Sequence, residues 1–458
     1  MKIKRLLLFC LSLIIPVVAF ANIRLRFNKA LDGSFWTVVA LFVVLILVAF
    51  IVISVRFSHS DPLLLPIVVA LNGIGLVQIY RIDFAHQKAF GDEYAFAVRG
   101  QLIWSVVGLV LMLAILIFFK DYRTIRRFTW TSMFIGLVLV ILPLLPSVGA
   151  EINGAKVWVS LGLLGTFQPA EFAKIFLAVF FAGYLTVNQE RLKSAGSRIM
   201  GLQLPRIQDF GPILLVWGLS LAVLVLQHDL GTSLLFFGMF IGALYISTGK
   251  TSWALIGIGL FGAGSLLAFK LFAHVAARID IWMDPFNEAV YNRQFGGSGQ
   301  VVQGFFALAN GGLFGTGLGN GYPRLTPFSN SDFIYTSLGE ELGITGLFAI
   351  LFLYLLFVQR GVSMSLKAHS GFEKLLASCI SFSVALQVFV VVGGITKIIP
   401  LTGLTLPFIA RGGSSLIANW AICALLILIS SDAYRVDETK KFVVSNKQIS
   451  PLLQGSSL

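Results

Sequence analysis

Ser331-Asp332-Phe333-Ile334-Tyr335, followed by Gly339-Glu340-Glu341-Leu342-Gly343 and an apolar run ending near Val358, is the stretch on which the fold turns. A polar loop enters a segment long enough to cross a bilayer and carries carboxylates in with it. An acid inside a spanning helix is costly enough that function is its default reading. Asp332 stands at the water edge of this run, and Glu340 lies about 12 Å deeper at 1.5 Å per residue.

The rest of the chain is equally apolar. Of its 458 residues, 57% are hydrophobic and 12% charged, with a mean hydropathy of +0.89. That composition predicts an all-α polytopic membrane protein. Twelve runs have spanning length: near 6–22, 34–55, 61–80, 100–119, 128–146, 168–187, 209–226, 230–247, 251–271, 334–358, 374–396 and 404–430. The formal charge of +13 comes mostly from short inter-helix loops, which is the signature of membrane topology and not of a nucleic-acid face. Alternating the runs from the basic start Lys2-Ile3-Lys4-Arg5 puts both termini in the cytoplasm. The first run also fits a cleavable signal peptide. The second run close behind it, with Arg24 and Arg26 between them, favours a retained helix. Cys10, Cys379 and Cys423 lie in apolar runs without a pairing pattern and read as packing residues.

One long outer loop, 272–333, is too aromatic for filler: Phe286, Tyr291, Phe295, Phe305, Phe306 and Phe314 predict short helices and turns folded over the membrane. The segment after Asp432 is polar and reads as a cytoplasmic tail. Gly311-Gly312-Leu313-Phe314-Gly315-Thr316-Gly317-Leu318-Gly319-Asn320-Gly321 imitates a nucleotide loop. It lacks the spacing and the βαβ surroundings of one. Gly249-Lys250-Thr251 fails as a phosphate loop because position 244 is Leu.

Asp332 has two readings. Ser331 or Asp332 before Phe333-Ile334 fits a helix N-cap. Alternatively, Asp332, Thr336, Gly339 and Gly343 share one helix face, where small residues beneath an acid would leave a groove for a long apolar chain. Glu340 then requires a buried basic partner. The outer segment around Lys156, then Gln168-Pro169-Ala170-Glu171-Phe172-Ala173-Lys174, supplies cations; Glu171 and Lys174 are three apart on one face. In Gln227-His228-Asp229-Leu230-Gly231-Thr232, Asp229 caps a helix and Gly231 allows close packing, while His228 has no second ligand at metal spacing. Pro400 to Gly403, Pro407 and Arg411-Gly412-Gly413-Ser414-Ser415 form a polar seam in which Arg411 needs an acid or a phosphate.

These four motifs, in this order, resemble the shape, elongation, division and sporulation (SEDS) family of RodA/FtsW/SpoVE type, over residues 61–432. The resemblance implies a ten-helix peptidoglycan glycosyltransferase that polymerises lipid II at the outer face of the bacterial cytoplasmic membrane. It implies a class B penicillin-binding protein as partner, which crosslinks the glycan. Residues 1–60 add two helices, as in the actinobacterial branch, and 433–458 form the tail. The family's essential Asp falls on Asp332 and its helix-start Lys on Lys174. Val157 after Lys156, His228 and Arg411 stand where the family usually has Arg, Pro and Tyr.

Asp332 is thus expected as the general base. Lys174, Glu171, Gln168, Lys156, Arg411, Ser414, Ser415, Gln300 and Gln303 are expected around the substrate, and Glu340 and Asp229 as structural charges. No metal-ligand set is complete, although a divalent cation sharing the diphosphate is an open alternative. The rival function is a lipid II flippase or transporter, whose site would lie near the midplane with Glu340. A non-catalytic scaffold is the third reading.

Overall fold

The computed structural model describes the chain except residues 1, 28–32, 91–95, 120–121, 153, 161, 163–164, 195–197, 200–201, 204–206, 294–295 and 455–458; Phe295 lies outside the described residues. Its helices are α1 (Lys2–Phe27), α2 (Gly33–Arg56), α3 (Leu64–Phe90), α4 (Ala97–Phe118), α5 (Thr129–Ile141), α6 (Ala170–Ser194), α7 (Ile207–Leu226) and α8 (Leu230–Thr248). They continue as α9 (Thr251–Leu271), α10 (Ala273–Met283), α11 (Glu288–Tyr291), α12 (Gly299–Gly311), α13 (Ile334–Lys367), α14 (Gly371–Ile395) and α15 (Gly413–Gln454). Among the described residues, eleven helices are long and apolar enough to cross a membrane. The remaining expected run, 209–226, is α7, whose described apolar stretch is Leu214–Val223.

Burial sorts these helices into a core and a lipid-facing shell. α3 and the Gly413–Arg435 part of α15 are almost wholly buried and α6 and α14 largely so, whereas α1, α2 and α9 turn most of their surface outward. The large apolar side chains exposed on the outer helices are mostly Ile, Leu, Val and Phe, as a hydrocarbon solvent requires. α1 packs along α3, with Pro16 seated over Gly73, and meets α2 where Phe9 stacks on Phe50 at 4.3 Å. Asp61 joins several elements at the start of α3. It accepts from Arg360 Nε (2.7 Å) and Tyr434 Oη (3.2 Å), while its own amide donates to Ser430 Oγ.

A small sheet fills the segment between α5 and α6, and two expected bounds need correction, those of the last run and of the tail. Strands β1 (Gly149–Ile152), β2 (Ala155–Ser160) and β3 (Thr166–Phe167) form an antiparallel sheet in the order β1-β2-β3. The run 404–430 becomes helical only at Gly413, because Pro407 interrupts it and residues 401–412 form an irregular turn. The last helix also continues past Asp432 to Gln454.

The long outer segment folds as expected into short helices, α10 to α12. Its Gly-rich stretch explains the break in α13. Gly343 has φ 70° and ψ −177°, so the helix is interrupted there. The loop replaces the lost backbone partners: Thr316 N donates to Glu340 O (2.9 Å), Gly317 N to Glu341 O (3.0 Å), and Ile344 N to Gly312 O (2.9 Å). Buried backbone groups are thereby satisfied inside the bundle, which is the condition for irregular chain at membrane depth. A Cβ on Gly343 would lie 2.3 Å from Gly315 N, so only glycine fits this crossing.

Candidate active site

Four elements converge on residues 401–405: α10, the start of α8, the turn before α13, and α14. From α10, Arg278 Nη1 donates to Leu401 O (3.0 Å) and Thr402 O (2.9 Å). At the start of α8, a Cβ on Gly231 would lie 2.9 Å from the same Thr402 oxygen. Beside them, Asp229 caps α8, its Oδ1 accepting from Thr232 N at 2.9 Å. Gly403 has φ +77°, and Asp332 Oδ2 stands 3.7 Å from where its Cβ would be. From α14, Gln387 Nε2 donates to Thr405 O (3.0 Å). One turn is therefore touched by Arg278, the Asp229 cap, Asp332 and the polar core.

Asp332 is not a cap. α13 begins at Ile334, and its N-cap position, Phe333, makes no side-chain capping bond. Instead Asp332 sits in a tight turn in which Ser331 N and Phe333 N both donate to Phe328 O, and Asn330 O accepts from Arg411 N. Phe333, 1% exposed, anchors the turn under Gly304 of α12. The Asp332 carboxylate has no hydrogen bond or ion pair among the described residues. Its surface is only half-buried, yet the surrounding protein desolvates the recess and pushes the carboxyl up to about 7; the Arg278 charge opposes that rise. A carboxyl near neutrality with a free oxygen is suited to take a proton.

The groove expected beneath Asp332 is filled. Thr336 is fully buried, a Cβ on Gly339 would meet Leu308 of α12, and Gly343 lies under the Gly-rich loop. The small residues admit α12 and backbone rather than a lipid chain. Glu340 also differs from expectation: its partners are Asn310 Nδ2 (3.0 Å) and Tyr322 N (3.0 Å). The buried cation belongs to its neighbour Glu341, with Arg81 Nε 2.8 Å from Oε1.

Lys174, 1% exposed, donates to Glu171 Oε2 (2.9 Å) and Gln387 Oε1 (2.8 Å), so its charge is already balanced inside the bundle. Gln168 N donates to Ser414 Oγ (2.9 Å), which ties the lead-in to α6 to the head of α15, and Ser415 accepts from Asn419 one turn on within α15. Lys156 is exposed on β2, 3.8 Å from Glu151. Arg411 is exposed at the head of α15. Gln300 and Gln303 are half-buried on α12, where Gln303 O accepts from Thr326. Among the described residues, no group of three or more His, Cys, Asp or Glu is placed to hold a metal ion.

Sequence reasoning missed Arg278. It is one of the basic residues in or beside the long loop, with Lys270, Arg293 and Arg324, and nothing in its local sequence marks it as pointing inward. Burial pulls this guanidinium below its ordinary value, while Asp229 and then Asp332 pull it back up. It makes no ion pair with either acid among the described residues. The loop's amphipathic start, Phe272 to Met283, was the available signal, since Val275 and Ile281 are buried on α10.

The architecture is shared with solved proteins. A chain from a structure titled as coordinating polymerization and crosslinking by a peptidoglycan synthase complex superposes with a TM-score of 0.63 at 27% identity, covering 82% of this chain and 98% of that one. The Thermus thermophilus rod shape determining protein RodA gives 0.57 at 25% identity, with the same coverage. By sequence, the peptidoglycan glycosyltransferase RodA of Mycobacterium tuberculosis is 40% identical over 437 residues, which is 95% of this chain and 92% of that protein. The family model described as cell cycle protein, of FtsW/RodA/SpoVE type, matches residues 62–435. The chain belongs to the FtsW/RodA/SpoVE family of multi-pass membrane proteins.

Proposed function

We propose that this chain is a peptidoglycan glycosyltransferase that joins lipid II units into glycan strands at the outer face of the bacterial cytoplasmic membrane, in cell elongation or division. The observation that carries this reading is the Asp332 carboxylate, without a hydrogen-bond partner among the described residues, desolvated beside the Gly403 turn. Its partner is a class B penicillin-binding protein, and both termini are cytoplasmic. The basic cluster of Arg123, Arg126 and Arg127, at the α4–α5 connection, lies on the cytoplasmic side in this orientation.

Asp332 takes the proton from the acceptor sugar hydroxyl as that oxygen bonds to the donor's anomeric carbon. The bond from that carbon to the lipid diphosphate breaks, and the diphosphate leaves with the electron pair. General-base help of this kind is worth roughly 10²–10⁴-fold. Transport has less to stand on than the sequence suggested. Glu340, the deep acid a transporter would use, is held by Asn310 and the Tyr322 amide. The test is polymerisation of lipid II by the full chain with its transpeptidase partner in lipid. Asp332→Asn should lose at least about a hundredfold in rate. Wild-type glycan synthesis by that variant would show the base assignment to be wrong.

A further inference from the structure

Glycosyl transfer requires a second group, one that meets the charge appearing on the departing diphosphate. Three cations expected there are poorly disposed for it. Lys174 is enclosed with Glu171 and Gln387, Lys156 lies beside Glu151 on the hairpin, and Arg411 is exposed at the head of α15.

Arg278 is disposed differently. Two backbone carbonyls, those of Leu401 and Thr402, hold its Nη1 at 3.0 and 2.9 Å. Carbonyls fix a guanidinium without neutralising it. Its Nε and Nη2 donors have no partner among the described residues, so most of the planar fork is available to an oxyanion. The same turn places the base. Gly403, next after Thr402, is the residue whose Cβ position lies 3.7 Å from Asp332 Oδ2. Arg278 and Asp332 therefore flank three consecutive residues, 401–403.

Substrate chemistry selects which diphosphate this is. The donor's leaving group is bonded to the carbon under attack, so a cation serving it must stand within about one sugar ring of the base. The acceptor's own diphosphate is a whole disaccharide away from its attacking hydroxyl. A cation sharing a turn with the base fits the donor. Asp229 caps the helix whose Gly231 meets this turn; its Oδ2 is buried without a hydrogen-bond partner among the described residues, and Arg278 is the cation whose charge acts on it.

We infer that Arg278 is the residue that binds the leaving prenyl diphosphate, and that Asp229 is its positioning residue. This rests on Asp332 being the base, and it deepens that reading. As the acceptor proton passes to Asp332, the electron pair of the breaking bond goes to the diphosphate oxygen that Arg278 receives. The bound product is a lipid diphosphate.

The test separates the two assignments by using binding rather than turnover. Undecaprenyl diphosphate and undecaprenol are titrated into the full chain with its partner in nanodiscs. The Asp332→Asn protein should prefer the diphosphate by about tenfold or more, since charge-assisted bonds of this kind carry that much. Adding Arg278→Gln should abolish the preference while undecaprenol binding stays unchanged, which also reports that the fold survives. Arg278→Lys, which keeps the charge but not the fork, should fall between. Asp229→Asn should weaken diphosphate binding in the presence of Arg278 and have no effect in the Arg278→Gln background. An undiminished preference in Arg278→Gln overturns the proposal even if Asp332→Asn is inactive. An active Asp332→Asn overturns the base reading whatever Arg278 binds. If Arg278→Gln does not fold, a wild-type-like preference in Arg278→Lys overturns the assignment of the fork.

Discussion

Arg81 Nε lies 2.8 Å from Glu341 Oε1, and the same pair grips the Gly-rich loop from both sides. Arg81 Nη2 donates to Gly319 O (3.1 Å) and Gly321 O (2.8 Å), while Glu341 accepts from the amides of those same residues. Both side chains are almost wholly buried, so removing one partner strands the other charge. Arg81→Gln or Glu341→Gln should each lower stability by about 3–5 kcal/mol. The double variant should be milder than the sum, because neither charge is then left alone. Thermal unfolding of the four proteins in one detergent checks this; additive losses would mean the pair is not coupled.

Asp332 makes activity and stability move in opposite directions with pH. Its carboxyl is raised to about 7, so the base is ionised only as pH climbs through that value. Single-turnover polymerisation should rise about tenfold per unit below pH 7 and level off above it. For stability, the raised value means that the folded state holds its proton where the unfolded chain, with its ordinary value of 3.8, has lost it. Stability attributable to this group is therefore full at pH near 4 and is lost as pH rises through 7. Asp332→Asn removes that loss and should stabilise the protein at pH 8 by about 1–3 kcal/mol. Equal melting of the two proteins at pH 8 would argue against a desolvated carboxyl.

Gly403 couples the backbone of the site to its chemistry. With φ +77° and its Cβ position 3.7 Å from Asp332, alanine there would be strained but would not collide. Gly403→Ala should cost about 1–2 kcal/mol of stability. Rate should suffer more than stability does, since the turn carries both Arg278 and the wall beside Asp332. At Gly343, by contrast, an added Cβ meets backbone at 2.3 Å, so Gly343→Ala should fail to give folded protein. Purification yield and rate, measured together on both variants, distinguish the two effects.

The membrane helices were legible because hydropathy and spanning length are local properties. So was the Asp229 cap, which needs only three neighbouring residues. Asp332 was visible because a polar loop meets an apolar run there. Partners were not visible. Glu340 and Glu341 are adjacent and chemically alike, and only the fold decides that Arg81, from α3, meets the second. The small residues after Asp332 signalled close approach correctly, but not whether lipid, helix or loop would approach. Arg278 became legible only when its carbonyl partners on the 401–402 turn were brought to it from more than a hundred residues away.

His228 has a backbone that proline, the residue the family resemblance implies at this position, could not adopt. Its φ is +62°, in the left-handed region, whereas proline is fixed near −65°. The imidazole is also engaged: its ring lies 4.2 Å from that of His274 on α10, and Nδ1 lies 3.1 Å from Gly154 O on the hairpin. His274 is four residues before Arg278, so this stack ties the Asp229 turn to the helix that carries the inferred diphosphate ligand. A proline here should therefore damage the protein. His228→Pro should lower stability by about 3 kcal/mol or more by forcing the turn out of its conformation. His228→Asn, which tolerates the left-handed region, should fold normally. It loses the ring stack, so its polymerisation rate should fall severalfold. Melting temperature and rate for the two variants decide the matter: a proline variant as stable and active as wild type would show that this turn adapts freely.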